Sequence, residues 1–133
     1  MPTTATQRLY PTHRYQDARA AIVWLCRAFG FEERAVYPGE GDTIAHAELE
    51  YDGSVFMLAS TRDDGYPTRT VRELGGANGV IYVAVEDVDA HFARAVAAGA
   101  GIIRPPTDQD YDSRDYSARD CEGNLWSFGT YRP

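Results

Sequence analysis

Two stretches of the chain repeat apolar side chains at the spacing of a helix, and each is bracketed by residues that start and stop one. In the first, Ala18, Ala21, Ile22, Leu25 and Phe29 form an i, i+3, i+4 stripe that Trp24 and Cys26 widen. Asp17 precedes it with a carboxylate able to accept from the free amides of the first turn, and Gly30 supplies the left-handed position that ends a helix. In the second, Val88, Phe92, Ala95 and Val96 form the stripe between Asp87 and Gly99. Elsewhere the period shortens to two or the run is β-branched and aromatic. Arg8–Gln16, Glu32–Tyr37, Thr43–Tyr51 and Ser54–Ser60 read as strands in the first half; Gly79–Val85, Gly101–Arg104, Asp115–Arg119 and Asn124–Tyr131 do so in the second. Thr43–Tyr51 alternates cleanly, with Ala45, Ala47 and Leu49 on one face and His46, Glu48 and Glu50 on the other. Pro105-Pro106 is expected to stop the strand before it, leaving Thr107–Arg114 as loop.

These landmarks recur at a fixed offset. The hairpin glycines Gly53 and Gly123 are 70 positions apart, as are Asp17 and Asp87, and the helix-closing glycines Gly30 and Gly99 are 69 apart. Independent landmarks agreeing on one offset indicate an internal duplication, each half running strand, helix, strand, hairpin. The expected fold is α+β: two βαβββ modules forming curled mixed sheets around a central cleft, with helices on the outside. One domain spans 1–133, with module one at about 8–60 and module two at about 79–131. Residues 61–78 (TRDDGYPTRTVRELGGAN) join them without any period, and a loop of that length often covers a site or moves.

Composition narrows the classes. A 133-residue chain that is 44% apolar can bury a proper core. Its net charge of −7, with no stripe of Arg or Lys, argues against a nucleic-acid partner. No apolar run is long enough to span a membrane, and MPTTATQRLYP has no basic segment followed by an apolar one, so no secretory signal is expected. Cys26 and Cys121 show no pairing pattern, which fits a reduced, cytoplasmic protein.

The segments DARAAIVWLCRAFGFEE, TIAHAELEYDGSVFML, VEDVDAHFARAVAAGA and SARDCEGNLWSFGTYRP, in this order and spacing, resemble the vicinal oxygen chelate superfamily. Within it the match is to the glyoxalase, bleomycin resistance protein and dioxygenase group, over nearly the whole chain. That resemblance implies the duplicated fold, but not one activity, because isomerases, lyases, dioxygenases and antibiotic-sequestering proteins share the scaffold. Its enzymes hold a divalent metal with four side chains, which the resemblance places here at Tyr10, Glu48, Val80 and Ser127. Only Glu48 is a ligand by chemistry, and a slip of one or two residues restores no His or carboxylate at Val80 or Ser127. The resemblance also implies a homodimer.

Several side chains are then candidates for binding a ligand. His46 and Glu48 share a strand face at a spacing that can chelate, or they are polar residues on a half-exposed strand. Glu48 is a candidate general base or ligand contact, or one side of a structural ion pair. Arg14, on the face of Tyr10, could pair with Glu48 or anchor an anion. Tyr10, Tyr82, Tyr116 and Trp126, or Phe128 in its place, would line an aromatic cleft, with Ser127 and Tyr10 offering hydroxyls. His13 and His91 have no acids at ligand spacing. In the joint, Asp63, Asp64, Tyr66 and Arg69 could close over a ligand. The expected function is sequestration-type binding of an aromatic or amphipathic small molecule without a cofactor or bound metal. The alternatives are a divalent-metal or Glu48-based isomerase, lyase or dioxygenase, and a partner-binding module with no cleft ligand.

Overall fold

The computed structural model describes residues 7–133, so most of the stretch read as lacking a secretory signal lies outside the described residues. The first module runs β1 (Thr12–Tyr15), α1 (Ala18–Phe29), β2 (Glu32–Pro38), β3 (Ile44–Tyr51) and β4 (Ser54–Ser60). A short α2 (Val71–Leu74) lies in the joint. The second module runs β5 (Val80–Ala84), α3 (Val88–Ala97), β6 (Gly101–Gln109), β7 (Ser113–Arg119) and β8 (Leu125–Gly129). The strand orders are β1-β4-β3-β2 and β5-β8-β7-β6, the same topology twice, in two separate mixed sheets. In each, the first strand runs parallel to the last and the other pairs are antiparallel. The duplicated α+β architecture expected from the offset is the one observed.

Local chemistry accounts for the helices. Asp17 accepts from the Ala20 amide at 3.1 Å, and Asp87 accepts from the Ala90 amide at 3.0 Å. Gly30 sits at φ 80°, where a Cβ would be strained. The α1 stripe buries Ala18, Ala21, Ile22, Leu25, Ala28 and Phe29.

The central core draws on both halves. Trp126 of β8 packs against Phe56 of β4 at 5.1 Å between ring centroids, Phe31 at 5.6 Å and Phe29 at 5.5 Å. The two helices also touch: Trp24 donates to the Ala98 carbonyl at 2.9 Å and Arg94 to the Arg27 carbonyl at 2.8 Å. Within one chain, therefore, it is the helix-bearing faces of the sheets that contribute to a shared core. Each sheet keeps its other face open, and these open faces carry the polar residues of interest.

Two strand boundaries differ from expectation. Strand β1 begins at Thr12 rather than Arg8, because pairing with β4 starts at Thr12 opposite Met57. Strand β6 continues through Pro105 and Pro106 to Gln109 instead of stopping. It lies at the sheet edge and shifts register between Ile102 and Arg104 and again before Thr107, so prolines without N–H groups are tolerated there.

Candidate functional site

Period two on the strands sorts the candidates. On the first sheet, Tyr15, Phe56, Leu58, Ala47 and Leu49 point into the core, which leaves Arg14, His46, Glu48, Met57 and Ala59 on the open face. On the second sheet, Tyr116, Ala118, Trp126 and Phe128 point inward, leaving Tyr82, Ser117 and Ser127 on the open face.

Tyr116 and Trp126 are both 0% exposed and belong to the core, though Trp126 also underlies the wall of a cavity that it shares with Tyr82. Trp126 shares its face with Phe128, two residues along, and that whole face is buried. The Tyr116 hydroxyl bonds His91 Nδ1 at 2.6 Å, and burial pushes the phenol well above its ordinary range. Tyr10 is exposed and its hydroxyl donates to the Gln7 carbonyl at 2.8 Å, apart from the other candidates.

The structure does bring Arg14 and His46 together. They line one cavity of about 600 Å³ with Thr12, Ala45, Ala59 and joint-loop residues including Tyr66 and Arg69. Glu48 adjoins it, bonded to His46 Nε2 at 3.0 Å and to Arg34 Nε at 3.2 Å. The hydrogen bond from His46, with the nearby Arg34 charge, holds the Glu48 carboxyl below the usual carboxylate range. Arg14 is not the partner of Glu48. Its guanidinium makes a two-pronged pair with Asp64, at 3.0 and 2.9 Å, and lies over the Tyr66 ring at 5.3 Å.

The joint loop is thereby held over the first sheet. Thr61 donates its amide to the Tyr15 carbonyl at 2.9 Å, and Gln16 Nε2 bonds the hydroxyl of Thr70, which is 2% exposed. Thr70 and Glu73 form a reciprocal capping box on α2. The spacing T-x-x-E is a sequence signal for that turn of helix, though the aperiodic composition around it hides it.

On the second sheet, Ser127 bonds Ser117 at 2.7 Å between hydroxyl oxygens and stands beside Tyr82 in register. Tyr82 donates to the Tyr131 carbonyl at 2.7 Å and borders a smaller cavity of about 260 Å³ with Phe31, Phe56 and Ile81 at the seam between the modules. Among the described residues, no hydrogen bond or ion pair joins the Arg14–His46 group to the Tyr82–Ser127 group.

Residues 10–128 match the family model of the Glyoxalase/Bleomycin resistance protein/Dioxygenase superfamily. The chain belongs to this superfamily. It is 36% identical over 118 residues to an uncharacterized protein of Mycobacterium tuberculosis, covering 85% of this chain and 68% of that one. Its fold is similar to the crystal structure of TioX from Micromonospora sp. ML1, with 36% identity, a TM-score of 0.74, and 96% and 98% of the two chains covered. It also resembles a glyoxalase/bleomycin resistance protein/dioxygenase family enzyme from Burkholderia phytofirmans PsJN (21% identity, TM-score 0.67, 90% and 94% covered), which speaks for the fold alone.

Membership raises the question of a metal, and the strand register shows which positions of the two modules correspond. Thr12 pairs with Met57 on β1 and β4, and the offset of 70 carries this pair onto Tyr82 and Ser127, which pair on β5 and β8. Glu48 instead lies on β3, one strand further out, opposite Met57. The four positions taken from the resemblance therefore do not repeat as one set, since Ser127 lies on β8 whereas Glu48 lies on β3 and not on β4, the counterpart of β8. Thr12, Met57, Tyr82 and Ser127 offer neutral hydroxyls and a thioether, a donor set that does not fit a hard divalent cation. Among the described residues no group of three His, Cys, Asp or Glu is placed to hold one.

Proposed function

We propose that this superfamily member binds a small molecule on the open face of its first sheet, under the joint loop, without using a metal and without turning the ligand over. The observation that carries the reading is the cavity of about 600 Å³ in which Arg14, His46 and Tyr66 converge. Its volume falls within the roughly 300–1,000 Å³ range of small-molecule sites. Sequestration requires shape and polar anchors, which the cavity has, and no Lewis acid.

The second reading is an enzyme with Glu48 as base, favoured by the 3.0 Å contact between Glu48 and His46. Its carboxyl is held below the usual range, however, which makes it a weaker proton acceptor at neutral pH than an ordinary glutamate. Glu48→Gln separates the two. For a binding protein, wild type and variant hold a ligand found by thermal-shift screening with affinities within about twofold, since Glu48 is already paired by Arg34 and His46. Neither form consumes it, and neither takes up Ni, Zn, Mn or Fe stoichiometrically. Turnover lost specifically in the variant would establish the enzyme.

A homodimer belongs to the same proposal. Setting the first sheet's open face against the second sheet's open face of another copy would bring Arg14 and His46 near Tyr82 and Ser127, and would cover Val80 and Tyr82, which are 58% and 37% exposed. Light scattering on the eluted peak should give about twice the 14.8 kDa chain mass. A monomeric mass at the highest soluble concentration would confine the ligand to one chain. The proposed compartment is the cytoplasm, with Cys26 and Cys121 both free thiols.

A further inference from the structure

The charge of the cavity under the joint loop runs against that of the protein. The chain carries a net −7, yet three arginines (Arg14, Arg62 and Arg69) and His46 line this cavity with no aspartate or glutamate among its lining residues, while His13 borders it with its ring turned to the core against Phe56 and Trp126. Internal pairing does not neutralise the arginines. Asp64 is shared between Arg14 and Arg62, at 2.9 and 3.1 Å, so one carboxylate faces two guanidiniums. Arg69 has no carboxylate within ion-pair distance among the described residues and donates only to the Thr68 carbonyl, at 3.2 Å. The remaining wall is apolar or aromatic, with Ala45, Ala59, Pro67, Leu74 and the Tyr66 ring. The loop that brings Arg62, Tyr66 and Arg69 over the sheet is fastened at Thr61, Asp64 and Thr70, so the arrangement is built rather than incidental.

Resting on the ligand-binding reading above, we infer that the cavity selects small aromatic acids: an anionic group meeting Arg69 and Arg62, and a flat ring lying against Tyr66 and the alanine side of the sheet. Guanidinium groups favour carboxylates because two parallel N–H donors match two oxygens, and an unpaired guanidinium gains more from an anion than one already neutralised. An aromatic cation would bring like charge to the same wall.

The test uses the full chain and three probes of one shape: 2-naphthoate, 2-naphthamide and 2-naphthylmethylamine. Calorimetry measures affinity, and amide shift mapping shows where each probe sits. Naphthoate should bind at least about tenfold more tightly than the amide or the amine, shifting Thr12, His46 and Tyr66. The double variant Arg62→Gln, Arg69→Gln, in which both altered side chains are solvent-accessible, should keep the wild-type melting temperature and lose that preference. Equal or tighter binding of the amide or amine overturns the inference, as does a preference that survives in the double variant. If the neutral or cationic probe still shifts Thr12, His46 and Tyr66, only the anion selectivity falls. If no probe, and no compound of a wider aromatic panel, shifts those residues, the binding function falls with it.

Discussion

Asp120→Ala should lower the melting temperature by about 10–20 °C, the largest loss expected from any single charged residue in the chain. Asp120 is 6% exposed in the β7–β8 turn, and five donor groups from four residues converge on its carboxylate, the weakest being the Asn124 side-chain amide at 3.4 Å. The Tyr15 hydroxyl lies at 2.6 Å, the Trp126 indole N–H at 3.0 Å, and the Glu122 and Asn124 amides at 3.0 Å each. Tyr15 belongs to the first module, so this one group ties β1 to the second module's hairpin. Removing it strands several buried donors, which costs about 3–5 kcal/mol in comparable sites. At roughly 3–5 °C per kcal/mol for a domain of this size, that gives the stated shift. The Arg114 pairs with Asp89 and Asp108 look similar on a contact map, but both acids are mostly exposed and such pairs contribute about 0–1 kcal/mol.

The sign of a second substitution checks the mechanism. Tyr15→Phe in the wild type removes one good hydrogen bond and should cost about 1–2 kcal/mol. In the Asp120→Ala background it removes a hydroxyl that has lost its acceptor, and should be neutral or stabilising. Equal costs in both backgrounds would mean that the 2.6 Å contact is not what joins the modules. Urea melts of the four proteins measure all of this.

The repeat is legible in the sequence because its markers are local. An aspartate capping a helix, or a glycine at positive φ in a hairpin, acts within four residues, and Gly53 and Gly123 take φ of 86° and 96° at matching places. The site is less legible because it depends on partners distant in the chain. Parity along β3 correctly puts His46 and Glu48 on one face, but nothing local shows that Arg34 rather than Arg14 would neutralise Glu48. Nor does counting from a helix start reveal which hairpin strand pairs with β1; only the β1–β4 register identifies Met57. Tyr116 and Trp126 are hard to place for a related reason, since an aromatic suits a cleft wall and a core equally and only packing decides, of Trp126 against Phe29, Phe31 and Phe56 and of Tyr116 against His91, Phe92 and Phe128. The joint loop is the extreme case. Arg62, Tyr66 and Arg69 have no periodic pattern to place them, and their positions follow from Asp64 gripping Arg14 across 50 residues.

Stability should also fall as the pH drops below about 6.5, and His91 should account for part of that slope. His91 on α3 is 8% exposed and packs against the rings of Phe29, Phe128, Tyr116 and Tyr51. Its Nε2 lies 2.8 Å from the Phe29 carbonyl, which can only accept, so Nε2 carries the hydrogen and Nδ1 accepts from the Tyr116 hydroxyl. A second proton would have to sit on Nδ1, facing that hydroxyl in a desolvated cluster and near the Arg94 charge. Burial first, and then Arg94, pull His91 below the ordinary value of 6.5, against the Phe29 bond, which favours the cation. His13 is lowered in the same direction by burial, partly offset by Asp120, and its Nδ1 has no hydrogen-bond partner among the described residues. Between its folded pKa and 6.5 each histidine binds more protons in the unfolded chain than in the folded one, so acid favours unfolding. Each steepens the fall by at most about 1.4 kcal/mol per pH unit, or up to about 2 kcal/mol by pH 5. Above 6.5 both are neutral in either state and contribute no slope. Glu48, Asp64 and Glu73 sit below their ordinary values, so the stability they confer is lost only further down, as the pH falls below about 4.5. Urea midpoints at pH 7.5, 6.5, 5.5 and 5.0 measure the slope, and His91→Gln should be less stable at pH 7.5 yet show a shallower pH dependence between 6.5 and 5. If the slope in His91→Gln matched the wild type, the proton uptake would belong to another group, and the neutral His91 bridge between α1 and β7 would not be its source.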